Sequence, residues 1–178
     1  TLTFKFGTTD YVSDPESYNS FTQNADTSTK TVTIDSSNST LSGVRDAIND
    51  ADIGVQATIV KVDSSNYKLV LTSEETGEDY SMEITVDDDD LSDTNTSGLS
   101  QLAFNSSATN LEQTQAGQDA VFSVNGLEIS SSSNTVVGAI QGVTLNILDS
   151  DDTKTFKLTV SNDTETVKSN IQTFIEEY

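Results

Sequence analysis

The sequence contains no cysteine, no histidine and no tryptophan, and only 1 proline in 178 residues. Without cysteine the chain has neither disulfides nor thiol chemistry. Without histidine it lacks the commonest general base and the commonest transition-metal ligand of proteins. We therefore expect no enzyme activity and no cofactor.

Positive charge is also scarce. Lysine and arginine total 8 against 29 acidic residues, which gives a formal net charge of −21. A surface of this sign repels phosphate backbones and anionic lipid, so neither nucleic acid nor a membrane is an expected partner. The sequence has no apolar run close to the roughly 20 residues of a membrane-spanning helix. The charge serves solubility or, alternatively, attracts cationic partners or ions.

Hydrophobic residues make up only 33% of the chain. Their spacing is nevertheless periodic, which indicates thin, small cores rather than disorder. The length allows one large or two small domains. Because the chain starts at Thr1 and ends inside a predicted helix, we expect a segment of a longer protein.

The N-terminal part predicts two strands and then a helix near residues 41–53. Leu2–Phe6 alternates apolar and polar residues, as in a half-buried strand, and Gly7 is expected to end it. Residues 8–30 are polar and predict a loop or an inserted hairpin. A second strand is expected at residues 31–34. The helix carries one apolar stripe at helical spacing, formed by Leu41, Val44 and Ile48.

The ends of this helix have their own signals. Thr40 fits the N-cap, because a threonine hydroxyl can accept a hydrogen bond from the free amides of the first turn. Gly54 suits the left-handed residue that ends it.

The remaining strands are predicted from short apolar runs, at Val55–Val62, Tyr67–Thr72, Met82–Val86, Ala120–Val124, Leu127–Ile129, Val143–Leu148 and Phe156–Val160. Asn125-Gly126 is a compact hairpin turn. Residues 87–98 are acidic and rich in serine and threonine, which predicts a loop or an exposed edge. Residues 105–118 lack hydrophobic period and predict a linker. Residues 134–142 have room for one helical turn.

A change of period marks the C-terminal segment as a helix. Asn162 can cap it, and Glu165 can reach back in a capping box. Its apolar residues fall on one helical face: Val167, Ile171, Phe174, Ile175 and Tyr178. We expect the start of a longer helix, because so short a segment is marginal alone.

Asp87–Asp90 with Asp93 form the most obvious candidate metal site. Counted from Asp88, the sixth place holds Asp93, where an EF-hand loop requires glycine. A solvated loop is therefore expected, with weak calcium affinity as the alternative. The acids at 149, 151 and 152 lead to the same interpretation, a hairpin loop.

Catalytic motifs find no support in the sequence. The serines of Ser130–Ser133 are the residue type of a catalytic nucleophile, but the chain has no histidine that could serve as their base. The glycines are not spaced as in a phosphate-binding loop. Gly126 and Gly142 are expected at positive φ. No residue is assigned a catalytic, cofactor-binding or metal-binding role, and the sequence does not locate a partner-binding surface.

Four segments, in order, resemble one protein family. They are TVTIDSSNSTLSGVRDAINDADIGVQATIVKV at 31–62, YKLVLTSEETG at 67–77, VNGLEISSSSNTVVGAIQGVTLNIL at 124–148 and LTVSNDTETVKSNIQTFIEEY at 158–178. These segments are similar to the bacterial flagellar filament cap protein family, hook-associated protein 2. The most specific pieces are LSGVRDAIND, VNGLEI and GVTLNIL.

The resemblance implies a mainly β, α+β fold. It consists of two small antiparallel β-rich outer domains with one short packed helix and a C-terminal helix stub. Residues 1–110 form the first domain and 111–161 the second, which the N-terminal strand or residues before Thr1 would complete. Residues 162–178 start a helical leg domain.

The implied function is filament capping and assembly, in which a ring-shaped oligomer at the extracellular flagellum tip promotes flagellin insertion. The implied partners are other copies in the ring, flagellin, hook–filament junction proteins and, in some members, host mucin. An adhesin or glycan-binding module is the alternative, with its function in residues 8–30 and 87–98. These two segments depart from the family pattern, and the negative charge disfavours binding to anionic mucin.

Overall fold

A computed structural model describes residues 1–151, 153–159 and 164–177. It contains two compact units, Thr1–Leu148 and Asp149–Tyr178. The strands are β1 (Leu2–Ser13), β2 (Glu16–Gln23), β3 (Lys30–Val32), β4 (Val55–Lys61), β5 (Tyr67–Ser73), β6 (Ser81–Val86), β7 (Phe104–Asn105), β8 (Ala108–Thr109), β9 (Ala120–Val124), β10 (Leu127–Ser131), β11 (Thr135–Ile140) and β12 (Val143–Asn146). The helices are α1 (Leu41–Asp50) and α2 (Thr164–Glu177), with short 3-10 turns at Glu78–Tyr80 and Gly98–Leu102.

All strand pairs are antiparallel. The main sheet has the order β2-β1-β6-β7-β8, and β3 pairs with β1. The hairpins β4–β5, β9–β10 and β11–β12 each form a separate two-stranded sheet. The predicted mainly β fold, with one short packed helix and a C-terminal helix, is confirmed.

Strand β1 continues well beyond the predicted end at Gly7. It runs to Ser13 and forms a hairpin with β2, so residues 8–30 contain the inserted hairpin rather than an irregular loop. Gly7 permits this pairing, because a Cβ there would lie 2.1 Å from the Thr22 carbonyl oxygen. The prediction that Gly7 ends the strand is therefore wrong, because a strand also needs glycine where another backbone approaches closely.

The core of the first unit lies between β1, β6 and α1. Leu2, Phe4, Ile48 and Ile84 are almost completely buried. In contrast, Leu41 is 42% exposed, so only part of the predicted helical stripe packs inward.

Helix α1 is fixed at both ends by polar side chains. The Thr40 hydroxyl accepts from the Gly43 amide at 3.0 Å, which confirms the predicted N-cap. At the other end, the Asn49 amide donates to the Ala57 carbonyl at 3.0 Å and accepts from the Ala57 N–H at 2.7 Å. Asn49 therefore pairs with the open edge of β4 as a neighbouring strand would. Gly54 has the expected positive φ of 83°, although the helix ends earlier, at Asp50.

The predicted linker at 105–118 is wrong in its first part. Phe104–Asn105 and Ala108–Thr109 form β7 and β8, and Phe104, Asn105 and Ala108 are buried. The polar residues of this segment made it look like a linker. Asn105 is nevertheless buried, because its amide donates to the Ile84 carbonyl at 2.9 Å and is satisfied inside the protein.

The predicted helical turn within residues 134–142 is also wrong, since β11 occupies most of it. Gly138 and Gly142 have φ of 85° and 76°, values that a right-handed helix excludes. The Asn125-Gly126 turn is confirmed, with φ of 53° and 83° as a type I′ hairpin turn requires.

The second unit, 149–178, contains α2. Its described residues 153–159 do not form the strand predicted at Phe156–Val160, and the Phe156 side chain is 80% exposed. Alternation predicts a strand only where another strand supplies hydrogen bonds, and none pairs with this described segment. The predicted cap Asn162 and the terminal Tyr178 lie outside the described residues.

Within α2, Ile171, Phe174 and Ile175 are each more than half exposed. Among the described residues, no helix has the length and apolar character needed to cross a membrane.

Replacing Ile48 by alanine should destabilise the first unit by about 2–4 kcal/mol, because the side chain is fully buried and its loss leaves a cavity. Urea unfolding followed by circular dichroism measures the change. Leu41→Ala is the matched control on the same helix and should cost less than about 1 kcal/mol. Equal losses for the two variants would contradict this description of the core.

Candidate interaction surfaces

The acidic loop after β6 is organised by the Asp88 carboxylate. Its Oδ2 atom accepts from the Leu99 N–H at 2.9 Å, the Ser100 N–H at 3.2 Å and the Ser100 hydroxyl at 3.3 Å. Its Oδ1 accepts from the Asp89 N–H at 2.8 Å. Partial burial acts to raise the pKa of Asp88, but these hydrogen bonds outweigh it and lower the pKa below its usual value.

The neighbouring aspartates also accept hydrogen bonds from groups within the loop. Asp93 accepts from the Asp88 N–H at 2.8 Å. Asp90 accepts from the Ser92 N–H at 2.8 Å and the Asn95 amide at 2.9 Å. These carboxylates close the loop on itself rather than converge on an ion.

The acids near residue 150 also bond locally. Asp151 accepts from the Thr153 N–H at 2.9 Å and pairs with Lys154. The contact with Lys154, followed by those with Thr153, lowers the pKa of Asp151. Asp152 lies outside the described residues. Within the described ranges, no group of three or more His, Cys, Asp or Glu side chains is arranged to hold a metal ion.

Ser130–Ser133 lies at the end of β10 and in the turn after it. The Ser131 hydroxyl donates to the Ser133 carbonyl at 2.8 Å, and the Ser130 hydroxyl donates to Asp119 Oδ2 at 3.1 Å. A serine hydroxyl that donates to a carboxylate, without an imidazole base, is a structural contact.

Asp119 also forms a junction that the sequence did not predict. Its Oδ1 accepts from the Glu78 N–H at 3.0 Å, so one carboxylate joins the turn before β6 to the β9–β10 hairpin. The Thr76 hydroxyl donates to the Ser132 carbonyl at 2.8 Å in the same place.

The backbones approach closely at this junction. A Cβ on Gly77 would lie 2.7 Å from Cβ of Ser132, and a Cβ on Gly117 would lie 2.6 Å from the Gly77 carbonyl oxygen. Gly77 and Gly117 are the features of the sequence that could have indicated this junction. They do so only once the segments that approach them, distant in the chain, are known.

An aromatic cluster supports the β1–β2 hairpin. The cluster consists of Tyr11, Tyr18 and Phe104. The Phe104 ring meets Tyr11 edge-on at a centroid distance of 5.1 Å and Tyr18 at 5.5 Å. Asp10 pairs with Ser20 and Tyr11 pairs with Tyr18, so Asn19 is an extra residue on β2 that brings the two tyrosines opposite each other.

Charged groups surround these tyrosines. The Tyr18 hydroxyl donates to Glu83 at 3.4 Å, and Glu83 also accepts from Lys5 at 3.1 Å. Burial and the Glu83 charge raise the pKa of Tyr18. Burial, followed by the charges of Glu16 and Glu112, raises the pKa of Tyr11.

Beside this cluster is an open groove of about 540 Å³. It lies between the end of the β1–β2 hairpin and residues 109–114. Tyr11, Glu16, Leu111 and Glu112 are among the residues that line it.

These features define a class of protein: a mainly β module built from antiparallel strands and one packed helix. In the described part of the chain its acidic side chains close loops and join strands, and an open groove lies beside the aromatic cluster.

Comparisons with known proteins specify the family. A family model described as the flagellar hook-associated protein 2 C-terminus matches residues 117–178. The B-type flagellar hook-associated protein 2 of Pseudomonas aeruginosa is 40% identical over 94% of this chain and 38% of its own length. The flagellar hook-associated protein 2 of Salmonella typhimurium is 36% identical over 83% of this chain and 30% of its own length.

Solved structures agree with the sequence matches. The crystal structure of FliD (HAP2) from Pseudomonas aeruginosa PAO1 is 34% identical, covers 100% of this chain and 73% of that chain, and has a TM-score of 0.67. The D1-D2-D3 domains of the Escherichia coli flagellar cap protein FliD are 31% identical, cover 98% of this chain and 44% of that one, and have a TM-score of 0.75.

The chain belongs to the flagellar hook-associated protein 2 family. It spans about two fifths of the length of the curated Pseudomonas relative, at 38%. The resemblance found in the sequence is confirmed, and the family is that of a structural flagellar cap protein. The matches lend no support to the alternative of an adhesin or mucin-binding module.

Replacing Asp119 by alanine should loosen the junction, because the Glu78 amide loses its acceptor and Ser130 its partner. We expect a loss of about 0.5–1.5 kcal/mol per hydrogen bond and faster hydrogen exchange at the Glu78 amide. Ser130→Ala is the control, since it removes only the second bond and should leave exchange at Glu78 unchanged. Unchanged exchange at Glu78 in the Asp119 variant would show that the junction is held by other contacts.

Replacing Asp88 by asparagine should lower stability at pH 7, because the amide cannot reproduce a charged acceptor. The folded-state pKa of Asp88 is lowered, so its stabilisation is complete above the unfolded value of about 3.9 and is lost as pH falls through the folded value. The difference between wild type and variant should therefore shrink as pH falls below about 4.

Urea unfolding midpoints of wild type and variant, measured from pH 2 to pH 7, test whether the stability difference shrinks below about pH 4. Asp89→Asn is the control, because the Asp89 carboxylate does not take part in the hydrogen bonds described above. A difference at Asp88 that stays constant with pH would mean that shape rather than charge is responsible.

Proposed function

We propose that the protein to which this chain belongs caps the bacterial flagellar filament and promotes flagellin insertion at its tip. The observation that carries the proposal is the agreement with the Pseudomonas aeruginosa FliD structure over the whole of this chain, at 34% identity and a TM-score of 0.67. The Escherichia coli neighbour, with a TM-score of 0.75, is named a flagellar cap protein.

The chemistry of the chain supports a role in assembly rather than in catalysis. A cap must contact its partners reversibly, which favours polar interfaces of modest size over obligate apolar ones. The chain has 29 acidic residues and only 7% aromatic residues, in agreement with such interfaces. We therefore propose that it has no enzymatic activity.

The proposed partners follow from this role. They are other copies of the same protein in a ring, flagellin, and the proteins of the hook–filament junction. The proposed location is extracellular, at the tip of the flagellum. Nucleic acid and membrane are not proposed, since a net charge of −21 disfavours both surfaces.

The domain division is also a proposal. A first β-rich domain at 1–110 is supported by the main sheet, whose last strand ends at Thr109. A second at 111–161 would begin before β9 at Ala120, and residues 162–178 would start a helical leg that includes α2. The exposed apolar residues of α2 support this view, because they suit packing against further helices.

Imaging of the full-length protein tests the proposed function. We expect negative-stain micrographs to show closed rings, and gold-labelled antibodies raised against residues 1–148 to label filament tips. Residues 1–178 alone should sediment as a monomer at micromolar concentration, because the proposed leg is mostly outside this segment.

Two results would count against the proposal. Full-length protein that stays monomeric and does not label filament tips would refute the capping role. A stable ring formed by residues 1–178 alone would refute the assignment of assembly to the leg.

A further inference from the structure

The groove beside the aromatic cluster holds a tyrosine ring in a fixed position. Phe104 meets the Tyr11 ring edge-on at 5.1 Å, and Tyr18 lies at 6.2 Å on the neighbouring strand. The Tyr11 hydroxyl donates to Glu16 at 3.3 Å. These contacts restrict the rotamers of Tyr11, which is half-buried and lines the groove.

Two carboxylates flank this ring. Glu16 accepts from the ring hydroxyl, and Glu112 lines the same groove as Tyr11. Both glutamates are exposed. Among the ion pairs of the described residues, neither carboxylate has a basic partner. No lysine or arginine is among the described residues that line the groove.

We propose that this groove binds a lysine or arginine side chain presented by a partner protein. A tyrosine ring and two carboxylates are groups that recognise an ammonium or guanidinium ion, through cation–π attraction and charge-assisted hydrogen bonds. The volume of about 540 Å³ is sufficient for a long basic side chain with part of its backbone.

Charge complementarity selects a different protein over a second copy of this chain. The chain carries 8 basic against 29 acidic residues, so two copies repel each other and offer few basic side chains. A partner with an exposed basic segment gains from the same field during encounter. The inference does not depend on the proposed capping role.

The test uses a short peptide, acetyl-Gly-Lys-Gly-Arg-Gly-amide, added to the ¹⁵N-labelled chain. The matched neutral peptide contains acetyl-lysine and citrulline in place of the basic residues. We expect saturable amide shifts at Tyr11, Leu111 and Glu112 with the basic peptide, and no saturable shift with the neutral one.

Three variants separate the groove from bulk charge. Glu112→Gln should weaken binding at least threefold, because it removes one carboxylate of the groove. Glu75→Gln removes the same charge from an exposed site outside the groove and should change affinity less than 1.5-fold (roughly 0.2 kcal/mol). Tyr11→Leu should also weaken binding at least threefold while leaving the charge unchanged.

Equal losses in the Glu112 and Glu75 variants, or shifts spread over the whole surface, would show attraction by net charge only and overturn the proposal. Tyr11→Leu is also expected to disturb the hairpin, because that ring packs on Phe104. The Glu112 variant does not share this problem, since its side chain is exposed. Its result against Glu75→Gln decides the outcome.

Discussion

The fold depends on the burial of Leu2 and Phe4 on strand β1. These side chains pack in one core with Ile48 of α1 and Ile84 of β6. Each such side chain contributes about 1.5–3 kcal/mol when fully buried. Strand β1 also pairs with β2, β3 and β6, so the main sheet is built around it. With only 33% hydrophobic residues in the chain, no second core of comparable size is found among the described residues.

Polar side chains therefore hold in place the strands and loops that the small hydrophobic core does not reach. Asn49 supplies the missing partner of the β4 edge, and Asn105 satisfies the Ile84 carbonyl. Asp88 closes the acidic loop, and Asp119 holds the turn before β6 to the β9–β10 hairpin. Each of these hydrogen bonds is worth only about 1 kcal/mol net, but an unsatisfied buried group would cost more. The many polar residues thus have structural roles as well as solubilising ones.

The sequence was sufficient where structure is local. Alternation located most strands, Thr40 located the start of α1, and Asn125-Gly126 located a hairpin turn, because each signal lies within a few residues. It failed for β7, which pairs with β6 through Ile84 and Phe104, residues far apart in the chain, and for β8, which joins the sheet only by pairing with β7. The groove and the Asp119 junction were not predicted for the same reason. The sequence does not distinguish a carboxylate in a solvated loop from one in a long-range contact.

The distribution of charge also constrains how assembly can work. Copies of a chain with a net charge of −21 repel one another, and salt screens this repulsion only beyond about 8 Å at physiological ionic strength. The acidic residues therefore oppose self-association through the β-rich surface, so the ring that we propose depends on the helical leg, to which the exposed Ile171 and Ile175 of α2 would belong. The same repulsion leaves the acidic groove open to a basic partner, because like-charged copies of the chain do not compete for it.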